Sequence, residues 1–224
     1  MDPAPLFSPI LLTLALALCV TVILVVVATP IARWLAQGEG QGRNAVGALV
    51  TLPLVLPPTV LGFYLLLALG PNGPGGWIAG LWGARTLAFS FPGLIIGGVI
   101  ASLPFMVQPL RNSFAAIETE VLEVAETLGA SRARRFWRIE MPLARPGYLV
   151  GAIMAFAHTM GEFGVVLMIG GNIPGQTKVL SIAIYDFVER LEWDKAHVLA
   201  GGMVVFGFCV VFATLVLGRG KQTR

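Results

Sequence analysis

The sequence predicts an all-α integral membrane protein with five transmembrane helices. Of its 224 residues, 56% are hydrophobic and only 12% are charged, and the mean hydropathy is +0.83. A soluble domain carries roughly 25% charged residues, so this chain has too little charge to cover a surface in water. Its apolar residues also form long blocks. These observations exclude a soluble enzyme and a nucleic-acid-binding protein, and they predict one lipid-embedded domain over residues 1–224.

Five apolar blocks are long enough to cross the membrane, because a helix spans the roughly 30 Å hydrocarbon layer in about 20 residues. In chain order they cover about residues 6–29, 45–69, 87–109, 147–170 and 196–217. Both cysteines, Cys19 and Cys209, lie inside apolar blocks, so no disulfide is expected.

Prolines and glycines indicate that these spans pack as a bundle with broken helices. A proline removes a backbone donor and kinks a helix, which a membrane tolerates only where protein or water satisfies the freed carbonyl. Glycines four residues apart permit close helix approach. The prolines are Pro53, Pro57, Pro58, Pro104 and Pro109, and the glycine pairs are Gly93 with Gly97 and Gly147 with Gly151.

Basic residues predict the orientation, because cytoplasmic segments are enriched in Lys and Arg. Eleven of the fifteen lie in the first linker, the third linker and the C-terminal tail, and four lie in the other linkers. This bias places the N-terminus outside the cell and the C-terminus in the cytoplasm. An odd number of spans requires the termini to lie on opposite sides, as this orientation does.

The third linker, residues 110–146, is the longest cytoplasmic segment. Its apolar residues recur at three-and-four spacing from Ser113 to Leu128, which predicts an amphipathic helix. Gly129 is suited to end that helix in a left-handed conformation. Ser131 can cap a second short, arginine-rich helix, which Pro142 and Pro146 are expected to close.

A motif with fixed spacing runs through this linker. Glu123, Val124 and Ala125 are followed by Gly129 and then, ten residues later, by Ile139; Met141 and Pro142 complete it. The pattern resembles the EAA loop of ABC-transporter permeases, with Val124 and Met141 as conservative replacements. The resemblance implies that the linker is a coupling helix seated in a groove of a separate ATPase subunit. The alternative is a surface hairpin whose basic residues only fix the orientation.

Three further segments are similar to the sulfate- and molybdate-type permeases: residues 52–62, residues 161–177 and residues 180–186, the last closer to the molybdate branch. The resemblance implies a type I importer in a bacterial or archaeal plasma (inner) membrane. Such an importer has two copies of the permease, two ATP-binding subunits and an extracytoplasmic molybdate-binding protein. ATP and magnesium would be bound by the ATPase, and no cofactor by this chain. Tungstate and sulfate or thiosulfate are alternative cargoes, and a secondary transporter or a scaffold subunit is the alternative from another class.

Four polar residues inside the spans are candidates for the pore or its gate: Thr59, Ser102, Thr159 and Glu162. Each could equally be a helix-packing residue. Glu162 is the only acidic residue within a predicted span, and a carboxylate lining the pore would repel an anionic cargo. We therefore expect it to have a structural or gating role, paired with backbone N–H groups or with a basic residue. Metal binding by Glu162 and His158 is not expected from a chain with two histidines.

The loop after the fourth span, on the predicted outer side, contains Asn172, Pro174, Gly175 and Lys178. It is a candidate contact for the binding protein or a re-entrant pore segment, and Lys178 either guides an anion or is a solvated charge. The loop resembles a P-loop but has Gln176 where the phosphate-binding lysine must stand, so nucleotide binding is not expected.

Overall fold

The computed structural model describes residues 4–219, and every regular element within that range is a helix. In chain order the elements are α1 (Ala4–Ala36), α2 (Gln41–Val55), α3 (Pro58–Leu69), α4 (Pro74–Gly80), α5 (Phe91–Ala115), α6 (Thr119–Thr127), α7 (Arg132–Arg135), a π-helical turn (Phe136–Glu140), α8 (Met141–Leu143), α9 (Arg145–Gly161), α10 (Gly164–Gly170), α11 (Leu180–Glu189) and α12 (Trp193–Arg219).

Three helices, α1, α5 and α12, are long and apolar enough to cross a membrane singly. Two bent pairs supply the other crossings: α2 and α3 meet at 112°, and α9 and α10 meet at 60°. Counting each bent pair as one span, the five predicted crossings are present. The expected breaks occur in the second and fourth spans, whereas α5 continues as one helix through Pro104 and Pro109.

Several helix ends differ by a few residues from the predicted span boundaries. α1 continues to Ala36 although the first span was predicted to end at residue 29, because a charged residue such as Arg33 can extend a helix beyond the hydrocarbon. The third span begins at Phe91 rather than at residue 87, since Leu87 donates its N–H to Leu69 and Ser90 caps the helix through Gly93 N at 3.2 Å. The linker predicted for residues 110–146 is shortened to residues 116–144 by the ends of α5 and α9.

The core lies where α1, α5 and α9 pack together. Leu16, Val20 and Leu24 of α1 are fully buried there. The predicted close approach of α9 is confirmed, because a Cβ atom built on Gly147 would lie 2.7 Å from the carbonyl oxygen of Pro109 on α5. α12 packs more loosely, with 11% of its most apolar window buried.

The helices divide the loops between two ends of the bundle. The end of α1, the start of α2 and residues 116–144 lie together, and we call this the basic end after its arginines. Residues 70–90 and 171–192 lie at the opposite end.

Candidate functional site

The segment that carries the predicted coupling motif folds as short helices at the basic end. Glu123 and Val124 are exposed on α6, whereas Ala125 is buried, so α6 turns two residues of the motif outward. Gly129 ends the helix with a φ of 78°, in the left-handed region, as predicted. The Ser131 side chain accepts from the N–H of Arg134 at 3.3 Å, which confirms the predicted cap of the second short helix.

The prediction of one helix from Ser113 to Leu128 is wrong. α5 ends at Ala115, and the chain passes through an extended Glu118, with ψ of 134°, before α6 begins at Thr119. No glycine or proline marks this bend, and Ile117 within it packs on the core as a helical residue would. The apolar periods of two helices therefore merge into one pattern in the sequence.

Residues 132–143 form a nearly continuous helical connector from α7 through the π-helical turn to α8, and α9 follows directly. The expectation that Pro142 closes this segment is wrong, because Pro142 stands in the first turn of α8, where its missing N–H is not needed. Ile139 and Pro142 are both partly buried within the connector.

Glu140, which the motif does not single out, is the most highly connected charged residue at this end. Its side chain is 5% exposed, and its two oxygens accept from Arg33 of α1 at 2.5 and 2.9 Å. Arg135 donates to the same carboxylate at 3.2 Å and to Glu126 of α6 at 3.3 Å. Sequence reasoning could have singled out Glu140, because its carboxylate stands between the apolar residues Ile139 and Met141.

Apolar side chains of α6 and the connector extend into the space beyond the bundle. Leu128 is 81% exposed, Trp137 61% and Val124 59%. The Glu123 carboxylate beside them has no hydrogen-bond or ion-pair partner within residues 4–219. Exposed apolar side chains grouped on a short helix and the segment that follows it are candidates for contact with another protein.

The candidate pore residues do not share one surface in the single chain. Ser102 and Thr159 are buried, and their hydroxyl oxygens lie 2.8 Å apart, joining α5 to α9. Ser102 also contacts Nδ1 of His158 at 3.0 Å, and the imidazole stacks on Phe105 with the ring centres 4.1 Å apart. Thr59 is exposed in the first turn of α3.

Glu162 lies at the break between α9 and α10. Its Oε1 accepts from the N–H of Val165 at 2.9 Å, and its Oε2 lies 3.7 Å from Nε2 of His158. The hydroxyl of Ser181 donates to its carbonyl oxygen at 2.7 Å. The carboxylate therefore satisfies a backbone donor at the start of the second half-span, which is the kind of pairing expected for it.

The loop at the opposite end is held by a buried carboxylate. Asn172 donates to Asp186 of α11 at 3.2 Å, and the Lys178 ammonium also donates to it. The bond from Lys178, followed by its charge, lowers the pKa of Asp186 below the ordinary value. Pro174 and Gly175 are exposed at the tip, where Gly175 has a φ of 74°. Lys178 is thus partly buried and paired within the chain.

Comparison with known proteins identifies relatives over almost all of the chain. Residues 28–219 match the family of binding-protein-dependent transport system inner membrane components. The molybdenum transport system permease protein ModB of Azotobacter vinelandii is 56% identical over 212 residues, which are 95% of this chain and 94% of that protein. A putative molybdenum transport system permease protein of Bacillus subtilis, YvgM, is 32% identical over 206 residues, covering 92% and 91%.

A solved structure shows the same fold. The bacterial alginate ABC transporter, crystallised with its alginate pentasaccharide-bound periplasmic protein, contains a chain that superposes with a TM-score of 0.74 at 18% identity. The superposition covers 98% of this chain and 80% of that one, so this chain has the permease fold of ABC importers. With three to five candidate membrane spans and a family match that covers most of its length, the chain belongs to the binding-protein-dependent transport system inner membrane components, a family of multi-pass membrane proteins.

Proposed function

We propose that this chain is the membrane-spanning permease subunit of an ATP-driven importer that carries molybdate into the cytoplasm. The observation that carries the proposal is the 56% identity, over 95% of the chain, to a protein named as a molybdenum transport permease. The exposed motif helix at the basic end supports it, because an importer of this kind must receive force from another subunit.

The basic end faces the cytoplasm in this proposal, with the N-terminus outside and the C-terminus inside. Two copies of the chain line one pore, two ATP-binding subunits dock on their basic ends, and a molybdate-binding protein docks outside. ATP and magnesium are held by the ATPase subunits, and this chain supplies no cofactor site. The loop with Asn172, Pro174, Gly175 and Lys178 is the proposed contact for the binding protein.

Force enters through α6. Its exposed Val124 and Leu128 fit an apolar groove, and the unpaired Glu123 carboxylate fits a basic residue at the rim of that groove. Because α6 leads to α5 on one side and through the connector to α9 on the other, a displacement of α6 moves two core helices together.

Cargo passes between the two permeases after the binding protein releases it. Thr59, Ser102, Thr159 and Glu162 remain the candidate pore or gate residues, with Ser102 and Thr159 acting through the α5–α9 contact that they form. The pore needs no tight anion site, because conduction requires that an ion leave as readily as it enters.

Uptake of labelled molybdate tests this proposal in cells with and without the gene, with tungstate or sulfate as competitor at equal concentration. We expect uptake to be lost on deletion, blocked by tungstate and spared by sulfate. Unchanged uptake in a strain without a second molybdate transporter would refute molybdate as cargo, and competition by sulfate alone would assign the sulfate class.

A pair of variants tests the coupling role. Glu123→Ala should uncouple ATP hydrolysis from uptake, whereas Glu118→Ala, which removes an exposed carboxylate just before α6, should not. Equal uptake and equal stimulated ATPase activity in the two variants would contradict the assignment of α6.

A further inference from the structure

The ion pair between Arg33 and Glu140 joins the end of α1 to the connector. The Arg33 guanidinium contacts both carboxylate oxygens, and it lies over the ring of Phe136 at 5.3 Å from the ring centre. Glu140 and Phe136 are the two ends of the π-helical turn, so the turn presents both residues to the same arginine. Turns of this type occur frequently at functional sites.

A second polar contact lies one helical turn earlier on the same face of α1. The hydroxyl oxygens of Thr29 and Tyr148 are 2.9 Å apart, and Tyr148 is in the first turn of α9. Thr29 and Arg33 are four residues apart, so α1 holds both the connector and the start of α9 along one stripe.

The network continues from Glu140 to the motif helix. Arg135 contacts Glu140 at 3.2 Å and Glu126 of α6 at 3.3 Å, so side-chain bonds link α1, the connector and α6 in sequence. These residues line a cavity of about 640 Å³ at the basic end. α1 therefore has a charged link to α6 although the two helices are separated by more than eighty residues.

The bundle also has an apolar core that holds α1 beside this link. α1 packs along α5 and α9 through fully buried apolar residues, among them Leu16, Val20 and Leu24. A buried ion pair is often no more stabilising than apolar residues of similar volume, although removing one partner alone is costly. The charged link is therefore a candidate for transmitting motion between α6 and α1.

We propose that Arg33 and Glu140 are positioning residues for energy coupling, locking α1 to the connector so that α1 moves with α6. The inference rests on the proposed function, because it assumes that an ATPase drives α6. Without the lock, α6 would move α5 and α9 and leave α1 behind, and ATP hydrolysis would continue with little uptake.

Charge reversal tests the lock in the complete complex reconstituted in vesicles. The variants are Arg33→Glu, Glu140→Arg and the double reversal. Arg43→Glu is the control, since it makes the same charge change as Arg33→Glu at the basic end; Arg43 donates to the Trp34 carbonyl at 3.1 Å and has no ion-pair partner among residues 4–219. The readouts are co-purification of the ATPase subunit, ATPase activity with and without the binding protein, and molybdate uptake.

We expect each single reversal to keep the ATPase bound and to lower uptake per ATP hydrolysed by about tenfold, within the usual range of a coupling effect between sites. The double reversal should restore uptake substantially, and the control should match the wild type. Singles that transport like the wild type, or a double reversal no better than the singles, would overturn the inference.

A double variant without charge at either position tests the lock even if the charge-reversed variants fail to fold. Arg33→Gln with Glu140→Gln removes both charges and leaves groups that can still hydrogen-bond, so this variant should fold and still couple poorly. Normal coupling in the neutral variant would overturn the lock. A wild-type complex that binds no ATPase subunit and takes up no molybdate would instead refute the proposed function, and the inference with it.

Discussion

Gly147 should be one of the least replaceable glycines in the membrane domain. A Cβ atom at this position would lie 2.7 Å from the carbonyl oxygen of Pro109 and 2.5 Å from Oγ of Ser113, both on α5. Distances this short are not seen for real Cβ atoms, and a backbone carbonyl cannot swing aside. Gly147→Ala must therefore push α9 away from α5.

The magnitude follows from two opposing effects. Overpacking a well-packed contact costs about 1–3 kcal/mol, and the rigid neighbour places Gly147 in the upper half of that range. Replacing glycine by alanine within a helix contributes about 0.5–1 kcal/mol of stabilisation. The net expected loss in the free energy of unfolding is about 1–2.5 kcal/mol.

Two other glycines provide matched controls. A Cβ at Gly151 would lie 2.8 Å from Sδ of Met106, whose side chain can move, and 3.2 Å from the Met106 carbonyl oxygen. The backbone contact is milder than at Gly147, so Gly151→Ala should cost less than Gly147→Ala. Nothing lies within 4 Å of a Cβ at Gly201 of α12, so Gly201→Ala should gain about 0.5–1 kcal/mol.

Unfolding of the purified chain by SDS in mixed micelles, followed by far-ultraviolet circular dichroism, measures this order. We expect the free energy of unfolding to decrease in the order Gly201→Ala, wild type, Gly151→Ala, Gly147→Ala. The close packing of α9 on α5 would be refuted if Gly147→Ala were as stable as wild type, or if Gly201→Ala were the least stable variant.

Three further predictions concern single side chains. Gly129→Val should weaken binding of the ATPase subunit more than Gly129→Asn, because the left-handed conformation costs most residues about 1–2 kcal/mol and asparagine less; equal binding in a pull-down would contradict this. Because the pKa of Asp186 is lower in the folded than in the unfolded chain, its contribution to stability should be complete above the unfolded pKa and be lost as the pH falls through the folded pKa. Lys178→Met should make the stability less dependent on pH in this range. Thermal unfolding at a series of pH values measures the difference. Glu162→Gln should still accept the hydrogen bond from Val165 and keep most molybdate uptake, whereas Glu162→Ala should lose both. An equal loss of uptake in the two variants would indicate that the charge of Glu162 itself matters.

The sequence predicted the structure well at positions where a residue type has one dominant structural role. Block hydrophobicity located the five crossings, since a long uncharged block has few alternatives to a membrane span. Gly129 and Ser131 act at helix ends as their chemistry predicts, and the glycine pair at Gly147 and Gly151 permits the close approach of two helices.

The sequence did not predict where apolar residues leave the helical conformation, nor which charged residues pair when they are distant in the chain. Leu87 and Ala88 are as apolar as the span that follows, yet they form a loop bonded to Leu69. The partner of Arg33 lies more than one hundred residues away at Glu140, and only the packing of α1 on α9 brings the two together. Neither the loop nor the ion pair can be predicted from hydropathy alone.

The break between α2 and α3 has a consequence for what must surround this part of the chain. Pro57 and Pro58 have no N–H, so the carbonyls four residues earlier, of Pro53 and Leu54, lose their usual partners in the helical ladder. Hydrocarbon offers no replacement donor. This stretch of backbone must therefore be hydrated or covered by protein, because a single copy in lipid would leave these carbonyls without hydrogen-bond donors.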